Sequence, residues 1–374
     1  MFKETSYTNR LTFFQKIRSI DLILISCVLI LGGISTFAMY SSEGGEMLYY
    51  TKSHLIRFSA FFILMILISF IRLKFFHSIS YLLYFIILLL LLYASLYGIT
   101  VSGSQRWIDL YFINLQPSEL MKITIILCFA KFYHRMQIDN VNSFRNLIVP
   151  IIILIMPMFL VISQPDLGTT ILIALSGIIV IWLSGVNIKY FISSFIILVI
   201  STPFFISFLK PYQKLRILTF FDPEKDPLGA GYQIIQSKIA VGSGGLSGKG
   251  FLQGTQSYLE FLPEKHTDFI FTLFSEEFGF IGSIGLLLVY SILIYRIIYI
   301  GSISRNFFSK LFCYGYGSSI FIYIAVNMSM VLGLLPIVGS PLPIMSYGGS
   351  SMLATMVGLG VVLSSKIYHR QIIA

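Results

Sequence analysis

Long runs of apolar residues alternate with short polar segments along almost the whole chain. A run of roughly 17–25 apolar residues is long enough for one helix to cross a bilayer. Ten such runs are present, at 20–41, 55–71, 79–98, 117–135, 147–163, 168–185, 189–209, 269–296, 311–335 and 345–366. Only helices and closed barrels satisfy their backbone in lipid, and a barrel would show short alternating segments. The pattern therefore predicts an all-α, polytopic membrane protein of about ten transmembrane helices.

The polar segments between these runs predict how the single membrane domain, 1–374, is arranged. Residues 1–19 and 367–374 form short tails, and 210–268 forms one long loop between the seventh and eighth spans. If both tails are cytoplasmic, 15 of the 26 Lys and Arg residues lie on the cytoplasmic side, in agreement with the positive-inside rule. We therefore expect the long loop to be extracytoplasmic.

Composition supports the membrane interpretation. The chain is 56% hydrophobic and 11% charged, with a mean hydropathy of +0.86, whereas soluble domains are about 25% charged. The net charge of +10 reflects the cytoplasmic Lys and Arg, so we expect membrane lipids and no nucleic acid as partners. The three cysteines fall inside predicted spans without metal or redox spacing, and we expect them to be unpaired.

Ionisable residues stand at the mouths of several predicted spans. In "LPEKHTDFIF", Lys265 and Asp268 come directly before the apolar run of the eighth span. In "LQPSELMK", at the start of the fourth span, Glu119 and Lys122 lie three residues apart and share one helix face. A charge in the centre of the bilayer costs roughly 2.5–3.5 kcal/mol. Several such charges together predict a shared, wetted cavity.

Three further charges belong to the same predicted end of the bundle. "SQPDLGTT" carries Asp166 before the sixth span, "SGSQRWIDL" carries Arg106 before the fourth, and Arg57 lies near the outer end of the second. Each also has a purely structural interpretation. Asp166 suits a helix N-cap, Arg106 suits an interfacial anchor, and Arg57 can extend to the membrane surface.

The ionisable residues of the fourth and eighth spans also have purely structural interpretations. Glu119 follows a proline and is favoured by the positive end of a helix dipole, while Lys122 can simply pair with it. Asp268 can cap the eighth span, with Lys265 neutralising it. Both interpretations of each residue stay open from the sequence alone.

A glycine-rich run, "GSGGLSGKGFLQGTQ", follows a predicted short amphipathic helix near 232–241. Gly248 and Lys249 resemble the end of a nucleotide-binding phosphate loop. However, Ser243 occupies the position of the first required glycine, and Gly250 that of the magnesium-binding Ser or Thr. We therefore expect this backbone to approach a ligand or the membrane surface rather than a nucleotide.

Five motifs in order, "QPSELMK", "QPDLGT", "GSGGLSGKGFLQGTQ", "FLPEKHTDFIF" and "LPIMSYGGSS", resemble the SEDS family (shape, elongation, division, sporulation) of bacterial membrane proteins. The resemblance covers about 20–366, and "GLLPIVGSPLPIMSYGGSS" is more similar to the RodA branch than to the FtsW branch. It implies a peptidoglycan glycosyltransferase that polymerises lipid II into β-1,4 glycan strands outside the cytoplasmic membrane during cell-wall elongation. The essential aspartate of the family matches Asp268, and its cavity residues match Glu119 and Lys122, with Asp166 nearby.

The resemblance also implies partners: lipid II, a class B penicillin-binding protein with transpeptidase activity, and other membrane proteins of the elongation complex. The hypothesis gives Asp268 the role of general base and lets Lys122, Arg106 or Lys265 stabilise the departing pyrophosphate. A divalent cation (Mg or Mn) could share that task, although no metal-binding motif is present. Two alternatives remain: a lipid II flippase, and a non-catalytic scaffold of the elongation complex.

Overall fold

The computed structural model describes residues 12–101, 104–110, 114–136, 138–208, 214, 218–220, 222, 229–255 and 265–373. Parts of the predicted long loop 210–268, among them 223–228 and the stretch 256–264 that contains Glu264, lie outside the described residues. The helices are α1 Phe13–Arg18, α2 Leu22–Ser42, α3 Tyr49–Ser69, α4 Leu73–Tyr97, α5 Pro117–Tyr133, α6 Ile138–Val141, α7 Phe144–Ser163, α8 Leu167–Leu183, α9 Ile188–Phe208, α10 Ala230–Ser243, α11 Ile270–Ile303, α12 Phe307–Val331 and α13 Gly349–Ile367.

The all-α membrane fold is confirmed, and each of the ten predicted apolar runs overlaps one helix. Among the described residues, α2, α3, α4, α7, α11, α12 and α13 are long and apolar enough to cross a membrane. Helices α8 and α9 contribute shorter apolar stretches, and α5 has 17 residues that include Glu119 and Lys122. The number of ten spans stays a prediction. The amphipathic helix expected near 232–241 is present as α10.

Helices α5 and α9 differ most in burial. In α5, 14 of the 17 residues are buried, because the helix packs against α4, α7, α8, α12 and α13. No described residue of α9 is buried, and side chains such as Phe195 and Ile200 are more than half exposed. In a membrane, exposed apolar side chains of this kind contact lipid. Helix α5 is therefore the central helix of the bundle, and the polar residues at its start are held by packing on several sides.

A small antiparallel sheet connects α4 to α5, which the helical pattern did not predict. Strand β1 (Ile99–Val101) pairs with β2 (Ser104–Asp109), and β2 pairs with β3 (Asn114–Leu115). Trp107 lies opposite Ile99 in this register. Arg106 lies in β2, and the sheet places it near the start of α5.

Helix α11 is broken near its beginning, at Gly279, where φ is +66° and ψ is −161°. The break removes two rungs of the helical hydrogen-bond ladder, and the glycine-rich run replaces them. The N–H groups of Phe280 and Ile281 donate to the carbonyl oxygens of Gly245 (2.9 Å) and Leu246 (3.1 Å). The N–H groups of Lys249 and Gly250 donate, at 3.0 Å each, to the freed carbonyl oxygens of residues 276 and 277.

Two glycines make this close backbone approach feasible. A Cβ at Gly248 would overlap the carbonyl oxygen of Glu277, and a Cβ at Gly279 would overlap the nitrogen of Gly248. Both glycines also have positive φ angles, which side-chain-bearing residues rarely adopt. Lys249 additionally binds the buried carboxylate of Glu276 at 2.7 Å. The glycine-rich run therefore satisfies a broken helix, which explains its composition without a nucleotide.

Candidate functional site

The start of α5 buries an ion pair. Gln116 is the N-cap residue and Pro117 occupies the first helical turn, so that Glu119 and Lys122 follow on one face. The Lys122 ammonium donates to Glu119 Oε1 at 2.6 Å, and both residues are less than a tenth exposed. The expected pairing is confirmed. A buried pair is strongly destabilised when one partner is removed, because the other charge stays in a low-dielectric environment.

Lys122 also lines a partly open cavity with a volume of about 40 Å³. Its Nζ atom lies 4.1 Å from the centre of the Tyr323 ring, within the range of a cation–π contact. Tyr323 lines the cavity, and its buried hydroxyl has no hydrogen-bond partner among the described residues. The lining residues come from α5, α12, α13 and the segment before α13, and are Glu119, Lys122, Ile123, Tyr316, Ser319, Ile320, Tyr323, Pro341, Pro343, Ser351, Ala354 and Thr355.

A second ion pair lies beside the first. Asp166 caps α8, since its Oδ1 accepts from the N–H of Thr169 at 3.1 Å. Its Oδ2 accepts from Arg106 Nη1 at 2.8 Å and from Gln116 Nε2 at 3.2 Å. Asp166 is therefore a cap and an ion-pair partner at once. Because Gln116 also begins α5, it connects this pair to the Glu119–Lys122 pair.

Asp268 lies in the turn at 265–269 that leads into α11, and its side chain is partly exposed. The N-cap position of α11 is Phe269, one residue after Asp268, and the capping role of Asp268 stays a prediction. A Cβ added at Gly339 would lie 3.5 Å from Asp268 Oδ2. The carboxylate therefore lies against the segment 332–348, which connects α12 to α13. Lys265, in the same turn, is only 8% exposed.

The segment 332–348 borders both Asp268 and the cavity. Pro341 and Pro343 line the cavity, and the hydroxyl of Tyr290 donates to the carbonyl oxygen of Pro343 at 2.6 Å. Ile344 has a φ of +69°, which for a β-branched residue is a strained backbone. Such strain persists only where the surroundings hold it, and it is concentrated at functional sites.

Arg57 belongs to the rim of this region rather than to the cavity. Its guanidinium lies 4.8 Å from the centre of the Tyr347 ring, and the N–H of Tyr347 donates to the carbonyl oxygen of His266 at 2.8 Å. Burial raises the pKa of Tyr347 above its ordinary value, although Ser53 and Arg57 oppose that shift. Tyr347 is therefore neutral at physiological pH and connects Arg57 to the Asp268 turn.

The structure thus brings Glu119, Lys122, Asp166 and Arg106 into one connected group, and connects Asp268 to their cavity through 332–348. The sequence pattern does not mark Gln116, Tyr323 or Asn327, whose side-chain amide donates to the backbone carbonyl oxygens of Asp268 and Ser340. Asn327 could have been noticed, because a lone amide inside an apolar span is costly unless it is used. Tyr323 could not, because one tyrosine among 22 in the chain gives no distinct signal.

The same residues bear on metal binding. Among the described residues, no group of three or more His, Cys, Asp or Glu side chains is placed to hold a metal ion. Glu119, the carboxylate that lines the cavity, is already bonded to Lys122. The described residues therefore do not fit a dedicated metal cage, and a divalent cation stays a prediction.

Comparisons with known proteins agree with this architecture. The family model of the cell cycle proteins FtsW, RodA and SpoVE matches residues 15–371. The peptidoglycan glycosyltransferase MrdB of Escherichia coli K12 is 38% identical over 369 residues, which are 98% of this chain and 99% of MrdB.

Two solved structures have the same fold. A chain from a structure of a peptidoglycan synthase complex, which coordinates polymerization and crosslinking, is 28% identical, with a TM-score of 0.81 over 94% of this chain and 99% of that one. The rod shape determining protein RodA of Thermus thermophilus is 24% identical, with a TM-score of 0.72 over 94% of this chain and 98% of that one. At that identity the second likeness supports the fold alone.

Proposed function

This chain belongs to the FtsW/RodA/SpoVE family, and from that premise we infer that it is a peptidoglycan glycosyltransferase of the cytoplasmic membrane. It crosses that membrane several times. We propose that the substrate is lipid II and that the reaction takes place on the extracytoplasmic side, with both termini in the cytoplasm. We further propose that a class B penicillin-binding protein crosslinks the strands that this enzyme makes during cell elongation.

In the proposed reaction Asp268 acts as the general base. Sugar transfer requires that the acceptor hydroxyl loses its proton as it attacks the anomeric carbon. The carboxylate would take the proton from the 4-hydroxyl of N-acetylglucosamine. The oxygen would then attack the α-linked muramoyl carbon and form a β-1,4 bond, while undecaprenyl pyrophosphate leaves with the electron pair of the broken bond.

The leaving pyrophosphate gains negative charge as the bond breaks, and fixed cations stabilise it best. Lys122 suits this role because its ammonium borders the cavity while Glu119 and Tyr323 hold it in place. Arg106 and Lys265 are the further candidates. Arg106 is held by Asp166, and its Nε atom has no hydrogen-bond partner among the described residues.

One observation carries the proposal: a single segment borders both reactive groups. The segment 332–348 lies beside the Asp268 carboxylate at Gly339 and lines the Lys122 cavity at Pro341 and Pro343. A base and a cation on either side of one short segment can act on the same substrate. An ion pair that only holds helices together would need neither a cavity at Lys122 nor a neighbouring segment that also borders the Asp268 carboxylate.

The test is glycan synthesis by the purified protein with its transpeptidase, supplied with lipid II. Asp268→Asn keeps the size of the side chain and removes the base, so polymer formation should fall by about 100-fold or more. Glu46→Gln is the matched control, because Glu46 is an exposed carboxylate in the turn after α2, and its activity should be unchanged. Near-normal polymer formation by Asp268→Asn would refute the role of Asp268.

The same assay separates an enzyme from a flippase. In proteoliposomes, lipid II delivered to the face that carries Asp268 should be polymerised without first crossing the bilayer. If the protein moves lipid II across the membrane and makes no polymer with its partner, the transporter alternative replaces the proposed function.

A further inference from the structure

One buried amide connects the two segments that carry the proposed chemistry. Asn327 lies in α12 and has no solvent exposure. Its Nδ2 atom donates to the backbone carbonyl oxygen of Asp268 at 2.9 Å and to that of Ser340 at 2.7 Å. The side chain therefore fixes the backbone of Asp268 itself, not merely that of a neighbour.

The orientation of this amide follows from chemistry. Both partners are carbonyl oxygens, which only accept hydrogen bonds, so the nitrogen of Asn327 must face them. The Oδ1 atom points elsewhere and has no hydrogen-bond partner among the described residues. One NH₂ group provides the two donors that these two carbonyls need, whereas a carboxylate of the same shape provides none.

The two bonds hold the turn at 265–269 against the segment 332–348. Ser340 is preceded by Gly339, which borders the Asp268 carboxylate, and followed by Pro341, which lines the cavity. We propose that Asn327 is a positioning residue that holds the Asp268 carboxylate at the cavity. This inference rests on the proposed function of Asp268.

The experiment compares Asn327→Ala and Asn327→Asp with the unmodified protein, each purified with its transpeptidase and supplied with lipid II. Asn327→Ala removes both donors. Asn327→Asp keeps the size of the side chain and removes both donors when it is ionised, or one of them when burial keeps it protonated. A displacement of about 1 Å at a reacting group can cost roughly 100-fold in rate. We expect kcat per folded molecule to fall at least about tenfold while KM stays within about twofold, because Asn327 does not border the cavity.

Asn306 provides the matched control. It is a buried asparagine at the other end of the same helix, roughly 30 Å away at 1.5 Å per residue. Its Oδ1 caps the helix by accepting from the N–H of Phe308 at 3.1 Å. Asn306→Ala should lower thermal stability in detergent and leave kcat per folded molecule unchanged. Folded protein is quantified in every sample by the amplitude of its thermal unfolding transition.

A folded Asn327→Ala protein with normal kcat would overturn the inference. So would a loss of activity that matches the loss of folded protein, or an increase in KM alone, since each indicates a role other than positioning Asp268. If Asp268→Asn is inactive while the Asn327 variants are normal, only this inference fails. If Asp268→Asn itself is active, the proposed function fails.

Discussion

The two ends of α2 lie next to two different kinds of buried charge. At its start, Asp21 accepts the N–H of Leu24 at 3.0 Å and binds Arg296 through both carboxylate oxygens. At its end, roughly 30 Å away, Ser42 binds His266 at 2.8 Å, in the turn that carries Asp268. We refer to these regions as the Asp21 end and the Asp268 end. The Asp268 end includes the Lys122 cavity, which the segment 332–348 connects to Asp268, and the ion pairs of Glu119 and Asp166. Both hold charges away from water, yet their hydrogen-bonding capacity is used differently.

At the Asp21 end the carboxylate is fully engaged in capping α2 and in tying it to α11. At the Asp268 end the Glu119–Lys122 pair lines a cavity, and the hydroxyl of Tyr323, which lines the same cavity, has no hydrogen-bond partner among the described residues. Unused donors beside an open volume suit a ligand that supplies the missing oxygens. Burial and pairing alone therefore do not identify a site, whereas unused hydrogen-bonding capacity beside a cavity does.

Neutralising one ion pair at each end should give the largest difference in the rate of glycan synthesis between the two variants. Replacing both members of a buried pair with neutral residues often leaves stability nearly unchanged. Glu119→Gln/Lys122→Met should therefore remain folded but lose polymerisation by roughly 100- to 1,000-fold, because the cation proposed to stabilise the leaving pyrophosphate is gone. The measurement is glycan synthesis per folded molecule.

The matching double variant at the other end is Asp21→Asn/Arg296→Met, which should polymerise lipid II at a normal rate per folded molecule. Equal losses of activity at both ends would show that the comparison does not distinguish a site from a structural pair.

Breaking only the Asp21 pair should affect stability instead. Asp21→Ala leaves Arg296, whose side chain is 18% exposed, without its carboxylate and removes the cap of α2. Such losses cost about 3 kcal/mol or more. Chemical unfolding in detergent should show this decrease, with unchanged kcat for the protein that stays folded. A variant as stable as the unmodified protein would contradict the structural role.

The hydroxyl of Tyr323 tests whether unused donors at the Asp268 end meet the substrate. Tyr323→Phe keeps the ring beneath Lys122 and removes only the hydroxyl. A neutral hydrogen bond contributes about 0.5–1.5 kcal/mol, so KM for lipid II should increase about three- to tenfold. Tyr323→Leu also removes the ring and should be weaker still. An unchanged KM in Tyr323→Phe would mean that the hydroxyl does not contact substrate.

Glu43 gives the smallest expected effect, and it depends on pH. Burial alone would raise the pKa of this carboxyl, but hydrogen bonds from Thr51 and from the N–H groups of Tyr50 and Leu48 outweigh it and hold the pKa below its ordinary value of 4.5. The ionised form therefore stabilises the folded state above that value, and this stabilisation is lost as the pH falls through the lowered pKa.

Glu43 accepts from the N–H groups of Tyr50 and Thr51 in the first turn of α3, as a helix cap does. Glu43→Gln should accordingly cost about 1 kcal/mol at neutral pH, and progressively less in acid. Thermal unfolding at several pH values measures the difference. A gap between the two proteins that widens in acid would contradict the assignment.

The sequence predicted the helices because lipid imposes a simple length and polarity rule on each span. It also placed the pairing of Glu119 with Lys122 and the capping by Asp166, since both depend on residues three positions apart. It could not predict that Gly245 and Leu246 replace the hydrogen bonds lost at Gly279, because that exchange joins segments more than 30 residues apart.

For the candidate site, too, the sequence could not predict contacts between residues that are far apart along the chain. The motif around Asp268 resembles the family motif and stands directly before a span, and these two local features identify the residue. Its neighbours in the structure, however, come from α12 and from the segment 332–348. Asn327 and Ser340 lie 59 and 72 positions from Asp268 along the chain. Nothing local marks them as its partners, so only the folded structure could show which amide holds the proposed base.

The most direct test of the account applies the same substitution to both aspartates. Asp268→Asn and Asp21→Asn each replace one carboxylate with an amide of equal size, at opposite ends of α2. With lipid II and the transpeptidase present, the account predicts a loss of glycan synthesis per folded molecule of about 100-fold or more for Asp268→Asn, and a normal rate for Asp21→Asn. Glycan synthesis by Asp268→Asn at the rate of Asp21→Asn would contradict it.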